Sequence, residues 1–372
     1  MIYFITILTV VSITYFFSIG WIIIGFNKLK RRGETKFQRN QNSKISIIIP
    51  VRNEEKNILA CLQSLQNQNY DNGNFEVIVV NDHSTDITEQ LVNSFIEESN
   101  LTIRIVSLTD RTSKKEALKL GIEMAQFNII ATTDADCILP KDWLNNISSQ
   151  FKSDADMLLG PVMFKRRKGF LSAFQTLDML AIQGMEFGAL GFKQPILNNA
   201  ANLSYSKKAY NKVKGFDSFN TPSGDDIFLL ERFKSKHQKI KGLLSHNFVV
   251  ETEPETKLSD FLNQRLRWSS KSKYYSDKLL LFFSGLVLIQ NILLLFIYLG
   301  ILLVEKETLS FVILLFTKWL IDFILLFLVA SFFKRRNAMF YFIPVQLVYP
   351  IYILIVWIAS ITMKFEWKGR KY

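Results

Sequence analysis

Phe127-Asn-Ile-Ile-Ala-Thr-Thr-Asp-Ala-Asp136, followed by Cys137-Ile-Leu-Pro140, is the stretch on which the fold turns. Ile129-Ile-Ala-Thr132 reads as a short buried strand, and two carboxylates two residues apart stand where it emerges. Such a pair is costly unless something positive meets it, and a divalent metal carrying a diphosphate is one such partner. A solvated strand end explains an isolated Asp-x-Asp just as simply, so the flanking sequence has to decide.

Upstream, Lys44-Ile-Ser-Ile-Ile-Ile-Pro50 is a β-branched run stopped by proline and is predicted as a first parallel strand. Asn53-Glu-Glu-Lys-Asn-Ile58 opens a helix in which Leu59, Leu62 and Leu65 recur at helical spacing. Phe75–Val80 is a second strand. Asn81-Asp-His-Ser-Thr-Asp86 is a turn rich in capping residues, and the helix Ile87–Glu98 follows. Ile103–Val106 and Lys115–Ala125 continue the alternation as strand and helix. Strands alternating with helices imply right-handed βαβ units, hence an α/β fold on a mostly parallel sheet. Ligands of such sheets bind beyond the carboxyl ends of the strands. Pro50–Glu54, Asn81–Asp86 and Asp134–Asp136 all lie there, so three polar loops converge on one edge. No Gly-x-Gly-x-x-Gly follows the first strand and no Gly-Lys-Ser/Thr loop occurs, which argues against a dehydrogenase or a P-loop NTPase.

The 372-residue chain has net charge +12 and is 49% hydrophobic, with the apolar residues gathered at its two ends. Residues 2–25 hold no charge and are long enough to span a bilayer. They lack the basic start and small-residue cleavage site of a signal peptide. Three further spans read near 279–303, 309–332 and 338–361. The predicted plan is an N-terminal membrane helix (1–26), a basic linker (27–43), the α/β domain (44–275), a helical membrane region (276–363) and a basic tail (364–372). Lys28, Lys30, Arg31 and Arg32 directly follow the first span. They place that end, and the α/β domain, in the cytosol of a multi-pass cell-membrane protein. Glu305-Lys-Glu307 then falls outside and Lys334-Arg335-Arg336 inside. The tail, with Lys364, Lys368, Arg370 and Lys371, breaks the pattern. Pro344 and Pro350 make the last segment the suspect, as an interfacial or re-entrant piece. The basic charge suits anionic lipid; no aromatic-basic module points to nucleic acid. Cys61 and Cys137 suggest neither a disulfide framework nor a metal knuckle.

Two later motifs bear on chemistry. Ser223-Gly-Asp225-Asp226 precedes the amphipathic Ile227–Phe233. Adjacent carboxylates raise each other's pKa, which suits a general base, and aspartate also suits a helix N-cap. In Gln264-Arg265-Leu266-Arg267-Trp268, two arginines and a tryptophan suit a diphosphate clamp and a stacking platform; a basic helix at the membrane surface is the alternative.

Taken in order, these residues resemble the membrane-embedded branch of the family 2 glycosyltransferases, which have the GT-A fold. Its pattern is an aspartate after the second strand (Asp82), an Asp-x-Asp (Asp134-Ala-Asp136), a further acidic pair (Asp225-Asp226) and a Gln-x-x-Arg-Trp (Gln264–Trp268). Pro50-Val-Arg52-Asn-Glu54 is similar to the opening loop. Lys115-Glu-Ala-Leu-Lys-Leu-Gly121 is similar to the Lys-x-x-Ala-Leu-x-x-Gly helix. The resemblance covers residues 44–270 and departs from the family in having Asp-Asp where Glu-Asp is commoner.

The resemblance implies a UDP-sugar donor. Pro50, Arg52, Glu54, Asp82, Lys115 and Asp134 would line it, together with Gln264, Arg265, Arg267 and Trp268. Asp136 would coordinate Mg²⁺ or Mn²⁺, and Asp226, beside Asp225, would deprotonate the acceptor. Displacement at C1 with a base on one face and a neutralised diphosphate on the other inverts the anomeric centre. One span before the domain and three after it resemble the ceramide-glucosyltransferase-like and bacterial lipid glycosyltransferase layout, which implies a lipid-like acceptor. A processive polysaccharide synthase is the alternative, since a homo-oligomer would supply the walls of a channel. A nucleotide-sugar-binding scaffold is the non-enzyme alternative.

Several residues are left with two readings. His83 suits a turn and His246 a late approach to a metal. Asn198, Asn199 and Asn202 suit either an acceptor cleft or turn hydrogen bonds. Residues 168–192, with Phe170, Phe174, Leu177 and Leu180 on one face, suit an interfacial helix or a core helix. Lys318 and Asp322, four apart inside a span, suit either function or mutual pairing.

Overall fold

A computed structural model describes residues 2–33, 43–109, 112–218, 225–303, 308–363, 366–367 and 370–371. Linker residues 34–42, Ser223-Gly224, the Asp225 side chain, Glu305-Lys-Glu307 and the side chains of the basic tail lie outside the described residues. In chain order the elements begin with α1 (Ile2–Gly33), β1 (Ile45–Val51), α2 (Ile58–Gln66), β2 (Phe75–Asn81), α3 (Thr88–Glu98), β3 (Ile103–Ser107), α4 (Lys114–Met124) and β4 (Ile129–Thr132). Then come α5 (Trp143–Lys152), β5 (Met157–Leu159), β6 (Val162–Phe164), α6 (Phe170–Gly191), β7 (Leu203–Ser206), α7 (Lys207–Lys212), α8 (Asp225–Ser235), β8 (Ile240–Gly242) and β9 (Val250–Thr252). The chain ends with α9 (Leu258–Ser269), α10 (Lys278–Leu303), α11 (Thr308–Phe332), α12 (Phe342–Thr362) and the short pair β10 (Glu366–Trp367) and β11 (Arg370–Lys371).

Two compact units result. One comprises residues 29–165 and 197–253, the other residues 1–28, 166–196 and 254–372. The split departs from the expected 44–275 domain, because α6 and α9 group with the apolar helices. α6 carries apolar or small side chains nearly all round, and a helix of that kind buries itself among others.

The first unit holds a seven-stranded sheet of order β3-β2-β1-β4-β7-β5-β8. β3, β2, β1 and β4 run parallel, and β7 runs antiparallel to both β4 and β5. β1 and β2 are apolar and covered on both faces, as parallel strands require. Their register sets Val51 opposite Asn81 and Ile48 opposite Thr132. The loops after β1, β2 and β4 therefore leave the same edge. Pro50, which has no N–H to give, lies beyond the last β4 residue, where no ladder bond is lost. At the opposite edge the buried Glu76 accepts from Ser46 Oγ at 2.6 Å and from the Gln126 amide at 2.7 Å, and pairs with Arg104. This anchors the chain as it enters β4. α4 lies so close over the sheet that a β-carbon at Gly121 would stand 2.5 Å from Ile48.

Among the described residues four helices are long and apolar enough to cross a membrane: Ile5–Gly33, Lys278–Leu303, Thr308–Phe332 and Arg336–Thr362. The last contains α12, a continuous helix with no re-entrant break, contrary to the suspicion raised by its prolines. Pro344 sits in the first turn, where a missing N–H costs nothing. Pro350 frees the Gln346 carbonyl, and Tyr298 of α10 donates to it at 3.0 Å. Lys318 and Asp322 pair at 2.8 Å. Tyr15 donates to Asp322 at 2.8 Å, Lys318 to Gln346 at 2.6 Å, and Gln346 to Asp322 at 3.2 Å. The network ties α1, α11 and α12, so mutual pairing is what these charges show. α6 is a core helix of the second unit, not an interfacial one: Gln175, Asp178, Gln183 and Glu186 are all buried. It meets α1 backbone to backbone at Gly188 and Gly25, an approach that any β-carbon would prevent.

Candidate active site

The β1–α2 and β2–α3 loops are braced against each other. Arg52 Nη1 donates to the carbonyls of Asp82 and His83 at 2.8 and 2.9 Å. Asn53 and His83 both adopt left-handed backbone, at φ 53° and 57°, a strain that persists only where surroundings hold it. They are held: Asn53 Oδ1 accepts from the Thr85 amide at 2.8 Å, and the Asn53 amide donates to Ser84 Oγ at 3.1 Å. The His83 ring sits 3.2 Å from Asp82 Oδ1 and 3.2 Å from the Thr109 carbonyl, the turn role expected of it. Asp82 is buried below that ring. Glu54 starts the next helix, its carbonyl accepting from the Asn57 and Ile58 amides and its carboxylate from Asn57 Nδ2.

Beyond β4 the side chains alternate, so Ala135 and Cys137 enter the core while Asp134 and Asp136 face the loops. The Cys137 amide donates to the Asp134 carbonyl at 3.1 Å and closes the turn. Asp134 pairs with Lys114. Asp136 accepts from Thr252 Oγ1 of β9 at 3.0 Å. Burial pushes the Asp136 carboxyl up to about 6, and the charges of Asp134 and Glu54 add to that. The Thr252 hydrogen bond and Lys114 oppose the shift. Burial also pushes up the Cys61 and Cys137 thiols, which is inert cysteine behaviour.

This donor set fits a hard divalent cation. Asp136 has charge it holds at a cost, and the carboxylates of Asp134 and Glu54 lie near enough to add to that cost. Among the described residues no three His, Cys, Asp or Glu side chains form a complete cage. His246 is exposed on a short 3₁₀ turn.

Asp226 occupies the first turn of α8. Its Oδ1 accepts from the Ile227 amide at 2.9 Å, its Oδ2 from the Ala200 amide at 3.4 Å, and its carbonyl from Asn198 Nδ2 at 3.1 Å. Thr132, at the end of β4, donates to the Ala200 carbonyl at 2.8 Å. Asp226 is thus tied through Ala200 to the strand that delivers Asp134 and Asp136. Asn199 caps a short turn, accepting from the Ala201 amide at 3.0 Å. Asn202 is locked in the core between Trp143 and the Pro161 and Phe248 carbonyls, so it lines no cleft.

Lys114, which the sequence reading did not single out, pairs with Asp134. The Lys-x-x-Ala-Leu-x-x-Gly spacing is in fact met from Lys114 through Ala117-Leu118 to Gly121. Ser113 caps the helix by accepting from the Glu116 amide at 3.1 Å, and Lys114 is its first residue. Counting back seven residues from Gly121 would have found it.

In the other unit, α9 carries Gln264–Trp268. Residues two apart on a helix point about 200° apart, so Arg265 and Arg267 do not close on one diphosphate together. Arg265 is buried and pairs with Asp178 of α6 at 2.9 Å. Its guanidinium lies 4.2 Å from the Trp268 ring. Gln264 Nε2 donates to Glu255 Oε1 at 3.2 Å. Asp178 and Glu255 were not singled out from the sequence, and nothing in local pattern marks them.

Comparison with known proteins bears on this geometry. Residues 46–212 match the profile of glycosyl transferase family 2. Glycosyltransferase AglE of Haloferax volcanii is 33% identical over 131 residues, 35% of this chain and 42% of its own length. Probable glycosyltransferase YdaM of Bacillus subtilis is 25% identical over 285 residues, 71% of this chain and 66% of its own length. The chain thus covers less than two thirds of either relative. Among solved structures, mannosyltransferase PcManGT of Pyrobaculum calidifontis, in complex with GDP-Man and Mn²⁺, superposes with a TM-score of 0.56 at 16% identity, covering 95% of this chain and 99% of that one. Residues 46–212 are a glycosyl transferase family 2 domain, built on the GT-A fold.

Proposed function

We propose that the protein is an inverting membrane glycosyltransferase that moves a sugar from a nucleotide-sugar, taken to be a UDP-sugar, to a lipid-like acceptor. The observation that carries this reading is the acidic sheet edge. Glu54, Asp134 and Asp136 gather where three parallel strands end, and Asp136 is raised by burial and by its neighbours. An edge of that kind favours uptake of positive charge, and Asp226 lies at a strand-linked position beside it.

In this reading Glu54 and Asp82 face the nucleotide base, Lys114 and Lys115 its sugar and phosphates, and Asp134 the donor. A divalent cation, Mg²⁺ or Mn²⁺, held by Asp136 supplies neutralisation of the leaving diphosphate when bound. Asp226 accepts the proton of the acceptor hydroxyl as that oxygen bonds to C1. The C1–oxygen bond to the diphosphate breaks, its electron pair leaves with the nucleoside diphosphate, and the anomeric centre inverts. Gln264, Arg267 and Trp268 are assigned by their motif to the leaving group and acceptor. The four apolar helices and the basic Lys28–Arg32 and Lys334–Arg336 stretches support a multi-pass placement with the sheet unit in the cytosol.

The test is turnover of labelled UDP-sugars by the full chain in lipid nanodiscs supplied with membrane lipid extract. The expected product is a lipid bearing one sugar, with inverted configuration by NMR. Retained configuration would refute the displacement mechanism. A ladder of longer glycans would replace single transfer by processive synthesis. Absence of any nucleoside diphosphate release would favour a binding scaffold.

A further inference from the structure

Gln175 and Asp178 stand three residues apart on α6 and so share one face of it. Gln175 is wholly buried and Asp178 is 5% exposed. Gln175 grips Glu255 by both backbone groups. Its Nε2 donates to the Glu255 carbonyl at 2.8 Å, and its Oε1 accepts from the Glu255 amide at 2.9 Å. The Glu255 carboxylate in turn accepts from Gln264. Three residues on from Gln175, Asp178 pairs with Arg265 at 2.9 Å and accepts from the Tyr349 hydroxyl of α12 at 2.8 Å. The Arg265 guanidinium lies between two rings, 4.9 Å from Phe261 and 4.2 Å from Trp268. Phe261 stacks on Tyr352 of α12.

A helix as short as α9 does not hold its own geometry in isolation. Here two buried polar side chains of α6 hold the segment at two points: Gln175 at Glu255, ahead of the helix, and Asp178 at Arg265, within the motif. The buried network around Asp322 joins Tyr15, Lys318 and Gln346 and includes none of these motif residues.

We propose that Gln175 and Asp178 are positioning residues for glycosyl transfer. They fix the 255–268 segment so that Gln264, Arg267 and Trp268 are presented in one orientation. Arg265 is their anchor point within the protein and not a ligand of the diphosphate. The proposal rests on the transferase reading, and its test separates the two.

The experiment compares Asp178→Asn, Arg265→Gln, the double variant and Gln175→Ala in the full chain, by steady-state kinetics and by hydrogen–deuterium exchange. Each single variant is expected to lower kcat by about 10- to 100-fold, the scale set by ångström misplacement of a reacting group. Donor KM should stay within about twofold, as for a group that adds nothing to ground-state binding. The double variant should be no worse than the worse single, because the pair acts as a unit. Exchange should rise in residues 255–269 and stay unchanged in β1, β2 and β4. Gln175→Ala leaves no buried charge unpaired and covers the case in which Asp178→Asn fails to fold. A raised donor KM in Arg265→Gln, or losses that multiply in the double variant, would place Arg265 on the donor and overturn the proposal. Unchanged exchange in 255–269 would overturn it as well. Raised exchange in a protein whose wild type turns over no nucleotide-sugar would support the positional role while sinking the transferase reading.

Discussion

Two sets of acidic residues, one in each unit, are met in different ways. In the apolar-helix unit two buried carboxylates each have named side-chain partners. Asp322 has Lys318, Tyr15 and Gln346; Asp178 has Arg265 and Tyr349. In the sheet unit, Asp134, Asp136 and Glu54 crowd one edge, and the cost shows in the raised Asp136 carboxyl. Paired networks hold helices to one another, whereas charge kept at a cost is a feature shared with binding sites. Both kinds are acidic residues in an otherwise apolar setting, so residue type alone does not tell them apart.

The sharpest way to break this contrast is Asp226→Asn. If the sheet edge is catalytic, transfer should fall by about 10²- to 10⁴-fold with donor binding nearly intact, as loss of a general base does. Loss of donor binding, read by calorimetry, would refute the base role. Next comes Lys318→Met, which strands Asp322 among apolar helices. Destabilisation of about 3–5 kcal/mol is expected, and Lys318→Met with Asp322→Leu should recover most of it. Thermal unfolding of both variants in one detergent checks this, and equal Tm values for them would end the structural reading.

Asp136→Asn should act in the reverse sense on stability. The folded carboxyl is raised to about 6 from 3.8, so its contribution is present at low pH and is lost as pH rises through about 6. Without divalent cation, the Asn variant should therefore be more stable than wild type at pH 7.5, on the order of 3 kcal/mol, with the difference shrinking as pH falls from about 6 and vanishing below about 3.8. It should also lose the stabilisation that Mn²⁺ gives the wild type. A metal-induced Tm shift retained in full would remove Asp136 from the metal site. The smallest effect is predicted for Tyr298→Phe, about 1 kcal/mol for the hydrogen bond to the carbonyl freed by Pro350. A neutral result there would show that carbonyl to be satisfied without α10.

Much of the sheet unit was legible beforehand, for a physical reason. Parallel strands covered on both faces need unbroken apolar runs, and Ile45–Val51, Phe75–Asn81 and Ile129–Thr132 announce themselves. Their order along the chain then forces the three loops to one edge. The prolines of α12 misled, because a first-turn proline and one answered by a neighbouring hydroxyl break nothing. Lys114 was missed by one position of register. Residues 168–192 gave no means of choosing between interface and core, since the choice depends on which helices α6 meets. Asn202 resembled its neighbours Asn198 and Asn199 in sequence, yet it alone among them is locked against Trp143.

What the sequence determined by itself is what depends on near neighbours and on composition. The alternation of strands and helices, the apolar spans and the acidic residues at strand ends all follow from local patterning. The tertiary structure decided what depends on partners far along the chain. Thr252 meets Asp136 across 116 positions and Arg265 meets Asp178 across 87. Tyr15 meets Asp322 across 307. What each carboxylate meets is set by residues far along the chain, and only the packed chain brings them within reach.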